Sequence, residues 1–183
     1  MASARGYGAG HGATVEAIAP ADPARTFDVL TPIDPAGYYP KFRVIPAVVS
    51  TTDQPATWDA VGQTRMLHLS DGSSVIETIT DVERPGFFAY ELTDFTKVFG
   101  PLVHHARAEW RFDPADGGTR VTWSYTFFGR PGRGWIVGLI IRFAWAAYMR
   151  RVIVGLVGAV TPAAPARPAR KATRSHSAPS KTP

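Results

Sequence analysis

His104, Glu77 and Glu91 are the side chains whose types and settings suit acid–base chemistry. His104 opens an alternating run in which His104, Ala106, Ala108, Trp110 and Phe112 share one face. A neutral imidazole at the start of an apolar face suits a general base near neutral pH, and it equally suits a structural core or rim histidine. The structural role is the expectation, and no catalytic residue is assigned. His105 is expected to point the other way, into solvent. Glu77 and Glu91 fit either a carboxylate inside a cavity or an outward partner for Arg107 or Arg111; the outward placement is expected for both. No Ser/His/Asp set shows in the spacing, because such sets assemble in space and not along the chain.

Other chemistries fall away quickly. The chain has no cysteine, which removes thiolate nucleophiles, thiolate zinc sites and disulfides. The histidines at 11, 68, 104, 105 and 176 form no i,i+4 pair, so no metal is expected. Gly6-Tyr-Gly-Ala-Gly10 mimics a dinucleotide loop, but no strand precedes it and no helix opening follows, so no cofactor is expected. Gly129-Arg-Pro-Gly-Arg-Gly134 leads into a helical stretch, and Arg130 and Arg133 there suit an anionic head group or a solvated connector.

These residues sit on elements with mostly two-residue periodicity, which means strands. Val103–Phe112 and Thr119–Phe128 alternate cleanly, and residues 113–118 between them have turn chemistry. Gly62–Leu69 and Ser74–Glu83 flank Ser70-Asp-Gly-Ser73, a second hairpin. Arg84-Pro-Gly86 breaks the chain before Phe87–Thr93, and Val44–Thr52 and Ala13–Ala19 complete about seven strands. Asp22-Pro23 reads as a cap and first helical residue ahead of a short helix over Ala24–Leu30, and Asp34–Tyr39 adds a second short helical turn. Gly134–Val160 is one long helical stretch. The class is α+β: a curved antiparallel sheet with a long C-terminal helix on its apolar face.

Charge is unevenly placed. Up to Asp116 there are 9 basic and 15 acidic residues; beyond it there are 11 basic residues and no acid. A dedicated nucleic-acid-binding domain would spread its cations over a folded face, so no specific nucleic-acid partner is expected. Residues 1–12 are glycine-rich without an apolar core, which argues for a flexible start and against a secretory signal. Residues 161–183, rich in Pro, Ala, Ser and cations, read as a disordered basic tail, leaving 13–160 as the folded domain. A cytoplasmic protein, peripheral to membranes at most, is the expectation; oligomerisation is left open.

The chain resembles the SRPBCC (START-related) superfamily, in its polyketide cyclase/dehydrase and lipid-transport group. The resemblance rests on Val61-Gly-Gln-Thr-Arg65, Asp71-Gly72, Glu77-Thr-Ile-Thr80, Phe88-Ala-Tyr90, Gly100-Pro-Leu102, Glu109-Trp-Arg-Phe112 and residues 117–125 in that order, from about Val15 to Val160. It implies a helix-grip fold with a cavity between sheet and helix that holds a hydrophobic small molecule, lipid or polyketide-like. The ligand-binding set is then the inward face: Phe88, Tyr90, Leu92, His104, Trp110, Phe112, Trp123, Tyr125 and Phe127. Tyr90, Tyr125 and His104 are its polar members. The first rival is a cyclase- or dehydrase-like enzyme using a cavity His or Tyr. The second is a membrane-associated accessory protein.

The helical stretch itself is unusually apolar. It offers 27 residues, enough to cross a bilayer, but Arg142, Arg150 and Arg151 oppose a span. At 100° per residue Arg142 and Arg151 lie on opposite sides, so docking on the sheet leaves apolar surface exposed. Contact with an anionic membrane surface through Trp135, Trp145 and Tyr148, helped by the basic tail, is the expected use of that surface.

Overall fold

The computed structural model describes residues 10–161. The flexible start and the basic tail expected from the sequence therefore lie, but for residues 10–12 and Thr161, outside the described residues. Seven strands, β1 (His11–Ala19), β2 (Val48–Thr52), β3 (Thr64–Leu69), β4 (Ser74–Glu83), β5 (Phe87–Thr93), β6 (Val103–Ala115) and β7 (Gly118–Gly129), form one antiparallel sheet. Its order is β1-β7-β6-β5-β4-β3-β2, so β2 to β7 run as a meander and β1 closes onto the last strand.

Local chemistry explains the boundaries. Strand β1 starts at His11, two residues before the expected Ala13, because His11 and Gly12 pair with Phe127 and Thr126. Strand β2 starts at Val48 instead of Val44, because Phe42 and Ile45 close a bridge of their own with Arg43 at φ 53°. The β6–β7 turn is tighter than six residues. Ala115 pairs with Gly118, leaving only Asp116-Gly117 as the loop. Gly118, at φ +143°, is required there: a Cβ would stand 2.1 Å from the Ala19 carbonyl oxygen.

Helix α1 (Pro23–Leu30) begins where the Asp22 carboxylate accepts the Arg25 N–H at 3.0 Å, with Pro23 in the first turn. It is the only helix between β1 and β2. The second short helix expected at Asp34–Tyr39 is a turn instead: Tyr38 and Tyr39 both donate to the Pro35 carbonyl, and Gly37 at φ +92° breaks any helical continuation. At the C-terminal end α2 (Gly134–Ile140) and α3 (Ala146–Gly158) join through a π-turn, Ile141–Trp145, where the Ala146 N–H reaches back five residues to the Ile141 carbonyl. No helix among the described residues is long and apolar enough to cross a membrane.

Helix α3 lies over the apolar face of the sheet and buries Tyr148, Met149, Val152, Ile153 and Leu156. Beneath it Trp110 and Trp123 stack with ring centroids 4.7 Å apart, and Phe27 of α1 meets Phe112 edge-on at 5.3 Å. Such pairs add roughly 0.5–1.5 kcal/mol each beyond the burial of their area. This end of the sheet is therefore a solid core. The other end is not.

Candidate functional site

Between the β3–β5 and β7 inner faces, α3 and the loops before β2 and β6 lies a cavity of about 610 Å³, counting its open mouth. It is a narrow slot with room for several small groups. Alternation supplies the floor. Leu67 of β3, Val75 of β4, Leu92 of β5 and Phe127 of β7 all turn inward. Trp145 of the π-turn forms a wall, 4.9 Å from the Tyr125 ring, 4.8 Å from Phe127 and 5.3 Å from Tyr148.

The inner end of the slot is polar. Glu77 lines it, only 3% exposed, and its Oε2 accepts the Arg65 Nε–H at 2.5 Å. Arg65 is 5% exposed and is held on all sides. It donates to the Ile33 carbonyl at 3.2 Å and to Gln54 Oε1 at 3.1 Å, and its guanidinium lies over the Trp58 ring at 4.5 Å. Burial works against the charge of Arg65, but the Glu77 carboxylate outweighs it and the pKa is raised. No described hydrogen bond engages the second oxygen of Glu77.

Tyr39, Tyr90, Tyr125 and Tyr148 complete this polar end. Burial, followed by the Glu77 charge, pushes the Tyr90 and Tyr125 hydroxyls well above the usual phenol range. Tyr39 is pushed up by burial, then by Tyr90 and Glu77; Tyr148 rises through burial alone. All four are therefore neutral O–H groups across the physiological range, able to donate and to accept. Tyr39 and Tyr90 also face a second, smaller cavity of about 330 Å³ lined by Arg65, Phe88, Trp110 and Phe112. The ion pair and these two tyrosines form the partition between the two spaces.

The expected site residues divide accordingly. Tyr90, Leu92, Tyr125 and Phe127 line the main cavity, and Phe88, Trp110 and Phe112 line the smaller one. Trp123 is fully buried against Trp110 and lines neither. His104 is a correction: it is exposed, not on the inward face. The β6–β7 register shifts between Val103 and His105, and this bulge breaks the alternation so that Val103, not His104, turns inward. His104 instead contacts His105, Nδ1 to Nδ1 at 3.0 Å, and His105 stacks on Phe128. Glu77 corrects the other way, since it faces the cavity and not the outer surface. Trp145 and Tyr148, expected at a membrane interface, also turn inward.

Sequence reasoning missed Arg65, Tyr39 and the inward Glu77. The signal for the pair was present. Arg65 shares a face with Leu67, and Glu77 lies between Val75 and Ile79, so both charges occupy apolar-face positions of one hairpin. The observed register, centred on Asp71 and not on the Asp71-Gly72 pair, sets them opposite each other as Arg65↔Glu77.

A buried, mostly apolar slot with a few convergent polar groups, held between a curved sheet and a long helix, has the shape common to small-molecule sites. The family profile described as "Polyketide cyclase / dehydrase and lipid transport" matches residues 11–161. The chain belongs to that family. Solved structures agree on the helix-grip fold of this family member. Ara h 8.0201 is 20% identical with a TM-score of 0.55, over 83% of this chain and 95% of that one. Major latex-like protein 151 from Panax ginseng is 12% identical with a TM-score of 0.57, over 85% and 100%. DynU16, from the dynemicin biosynthetic locus, is 15% identical with a TM-score of 0.53, over 80% of this chain and 46% of that one. At these identities the likeness speaks for the fold alone. No curated protein matches the chain.

Proposed function

We propose that the protein binds a slender hydrophobic small molecule, lipid or polyketide-like, that carries a hydroxyl or carbonyl at its inner end. The observation that carries this reading is the contrast within one slot: aliphatic and aromatic walls along its length, and Glu77 with Tyr39, Tyr90 and Tyr125 at its base. The walls favour an apolar body by removing it from water, about 25 cal/mol per Å². The base makes an oxygen at the buried end preferable to a methyl group, because a methyl group offers Glu77 and the tyrosines that line it no hydrogen bond. Titration with an alkanol, an alkanone and the matched alkane tests this. The oxygenated chains bind more tightly in the expected outcome. Equal affinity for all three would remove the polar end from the account.

The same geometry supports a second reading, because ionisable groups do face the cavity. In a cyclase- or dehydrase-like reaction the Glu77 carboxylate would take a proton from carbon beside a carbonyl, and a tyrosine would hydrogen-bond the carbonyl oxygen. His104 has no part in it, lying outside the cavity. Turnover of an aromatic polyketide precursor that falls in Tyr125→Phe at unchanged affinity would favour this reading over simple binding.

A further inference from the structure

Three segments meet around the mouth of the main cavity, and each turns apolar side chains both inward and outward. Residues 40–47 give Ile45 and Pro46 to the lining, residues 95–102 give Phe99, and residues 130–145 give Trp145. Hydrogen bonds tie them together: Arg43 Nη1 donates to the Phe143 carbonyl at 2.7 Å, and Arg130 Nε to the Gly100 carbonyl at 2.7 Å. Facing outward from the same segments are Val44, Val98, Trp135, Leu139 and Phe143, each between 48% and 68% exposed. The last three follow at four-residue steps along one side of the helix.

The charge on these segments has a single sign. They contain Lys41, Arg43, Lys97, Arg130, Arg133 and Arg142 and no Asp or Glu. None of the four ion pairs among the described residues involves these cations, and only Lys97 is drawn to an acidic residue, its Nζ donating to the Asp71 carbonyl at 2.7 Å. Isolated exposed apolar residues are ordinary, but a rim of them interleaved with arginines and a lysine outside any of those ion pairs is the pattern of a surface that meets anionic lipid.

We propose that this rim docks on an anionic phospholipid bilayer, with Trp135, Leu139, Phe143, Val44 and Val98 entering the head-group region and Lys41, Arg43, Arg130, Arg133 and Arg142 facing lipid phosphates and carboxylates. A soluble acidic partner would satisfy the cations but leaves the protruding apolar tips without a place. If the cavity takes an apolar ligand, as proposed above, docking at its mouth lets that ligand pass between bilayer and protein without crossing water. The docking itself does not depend on that reading.

Trp135 is the reporter, since the other four tryptophans lie at least partly buried. Phosphatidylcholine vesicles containing about one-third phosphatidylserine should shift the emission of the full chain to the blue. The shift should be absent with pure phosphatidylcholine, shrink as salt rises, and vanish in Trp135→Phe. Phe143→Ser should weaken vesicle sedimentation. Arg133→Gln with Arg142→Gln should weaken it about thirtyfold, near fivefold per cation. The basic tail needs its own control: the full chain with Arg167, Arg170, Lys171, Arg174 and Lys181 changed to Gln should keep the Trp135 shift. Equal binding to both vesicle types, an unmoved Trp135, or binding lost only in the tail variant would overturn the proposal. Self-association abolished by Phe143→Ser would replace the lipid with a second copy. Uptake of the alkanol in vesicle-free solution tests the cavity separately.

Discussion

Two arginines of one sheet meet carboxylates in opposite settings. On the concave face Arg65 meets Glu77, both nearly sealed from water, with a carbonyl, an amide and an indole ring around the guanidinium. On the convex face Arg107 of β6 meets Asp81 at 2.9 Å, Glu109 at 2.8 Å and Thr80 at 3.0 Å, all partly in solvent. The bonds are alike in kind. The dielectric is not, and so the concave pair is committed in a way the convex cluster is not: water substitutes for any lost partner outside, and nothing does inside.

Removing one concave partner is the harshest way to break this contrast. Glu77→Leu should cost about 3–5 kcal/mol in denaturant unfolding, because it strands a buried guanidinium, and Arg65→Met with Glu77→Leu should recover most of the loss. A single change costing under about 1 kcal/mol would mean that water reaches the pair, and the contrast would fail. Next comes the cavity end beside the pair. Tyr125→Phe should weaken binding of a long-chain alkanol about five- to tenfold while leaving the matched alkane unchanged, read by calorimetric titration.

The convex cluster should answer more gently. Arg107→Ala should cost about 1 kcal/mol or less, and molar salt should erase most of the difference between variant and parent. Smallest is the acid response of the outer carboxylates. The hydrogen bond from Arg107 holds the Asp81 carboxyl below its ordinary value, and the one from Arg84 does the same for Asp28. A depressed folded-state pKa contributes stability above the unfolded value near 3.9 and loses it as pH falls through the folded one. Melting temperature should therefore drop below about pH 4, and Asp81→Asn should flatten that drop slightly. A drop centred near pH 6 would point to other groups.

Much of this architecture was legible because strand alternation and turn chemistry are local. The Asp-Gly turns, the Asp22-Pro23 cap and the inward set Phe88, Tyr90, Leu92, Tyr125 and Phe127 all follow from neighbours two to four residues apart. The failures arose where a local rule was interrupted. A bulge after Val103 moved His104 to the outside, and Gly37 turned an expected helix into a turn. The candidate site was legible only in half. Its floor comes from alternation, but Tyr39, Trp145 and Tyr148 arrive from a loop and a helix whose approach depends on the whole fold. Arg65 and Glu77 were readable as charges at apolar-face positions of their strands, against the ordinary expectation that charges face out, but their pairing was not, because the turn is one residue longer than its Asp-Gly pair suggests.

The π-turn at Ile141–Trp145 works as a phase adjuster. One surplus residue there separates two rotational settings of a single rod, so that α3 is timed to the floor of the barrel-like sheet while α2 is timed to the rim. Rewinding that stretch as ordinary α-helix with every residue kept would swing everything upstream by about 100°. Trp135 and Leu139 would then turn together to a new heading, with no change in their identity or number. In this protein the direction in which a surface looks is stored as a length: the wider turn takes up one residue, and a one-residue deletion that restores ordinary winding should leave that direction nearly unchanged.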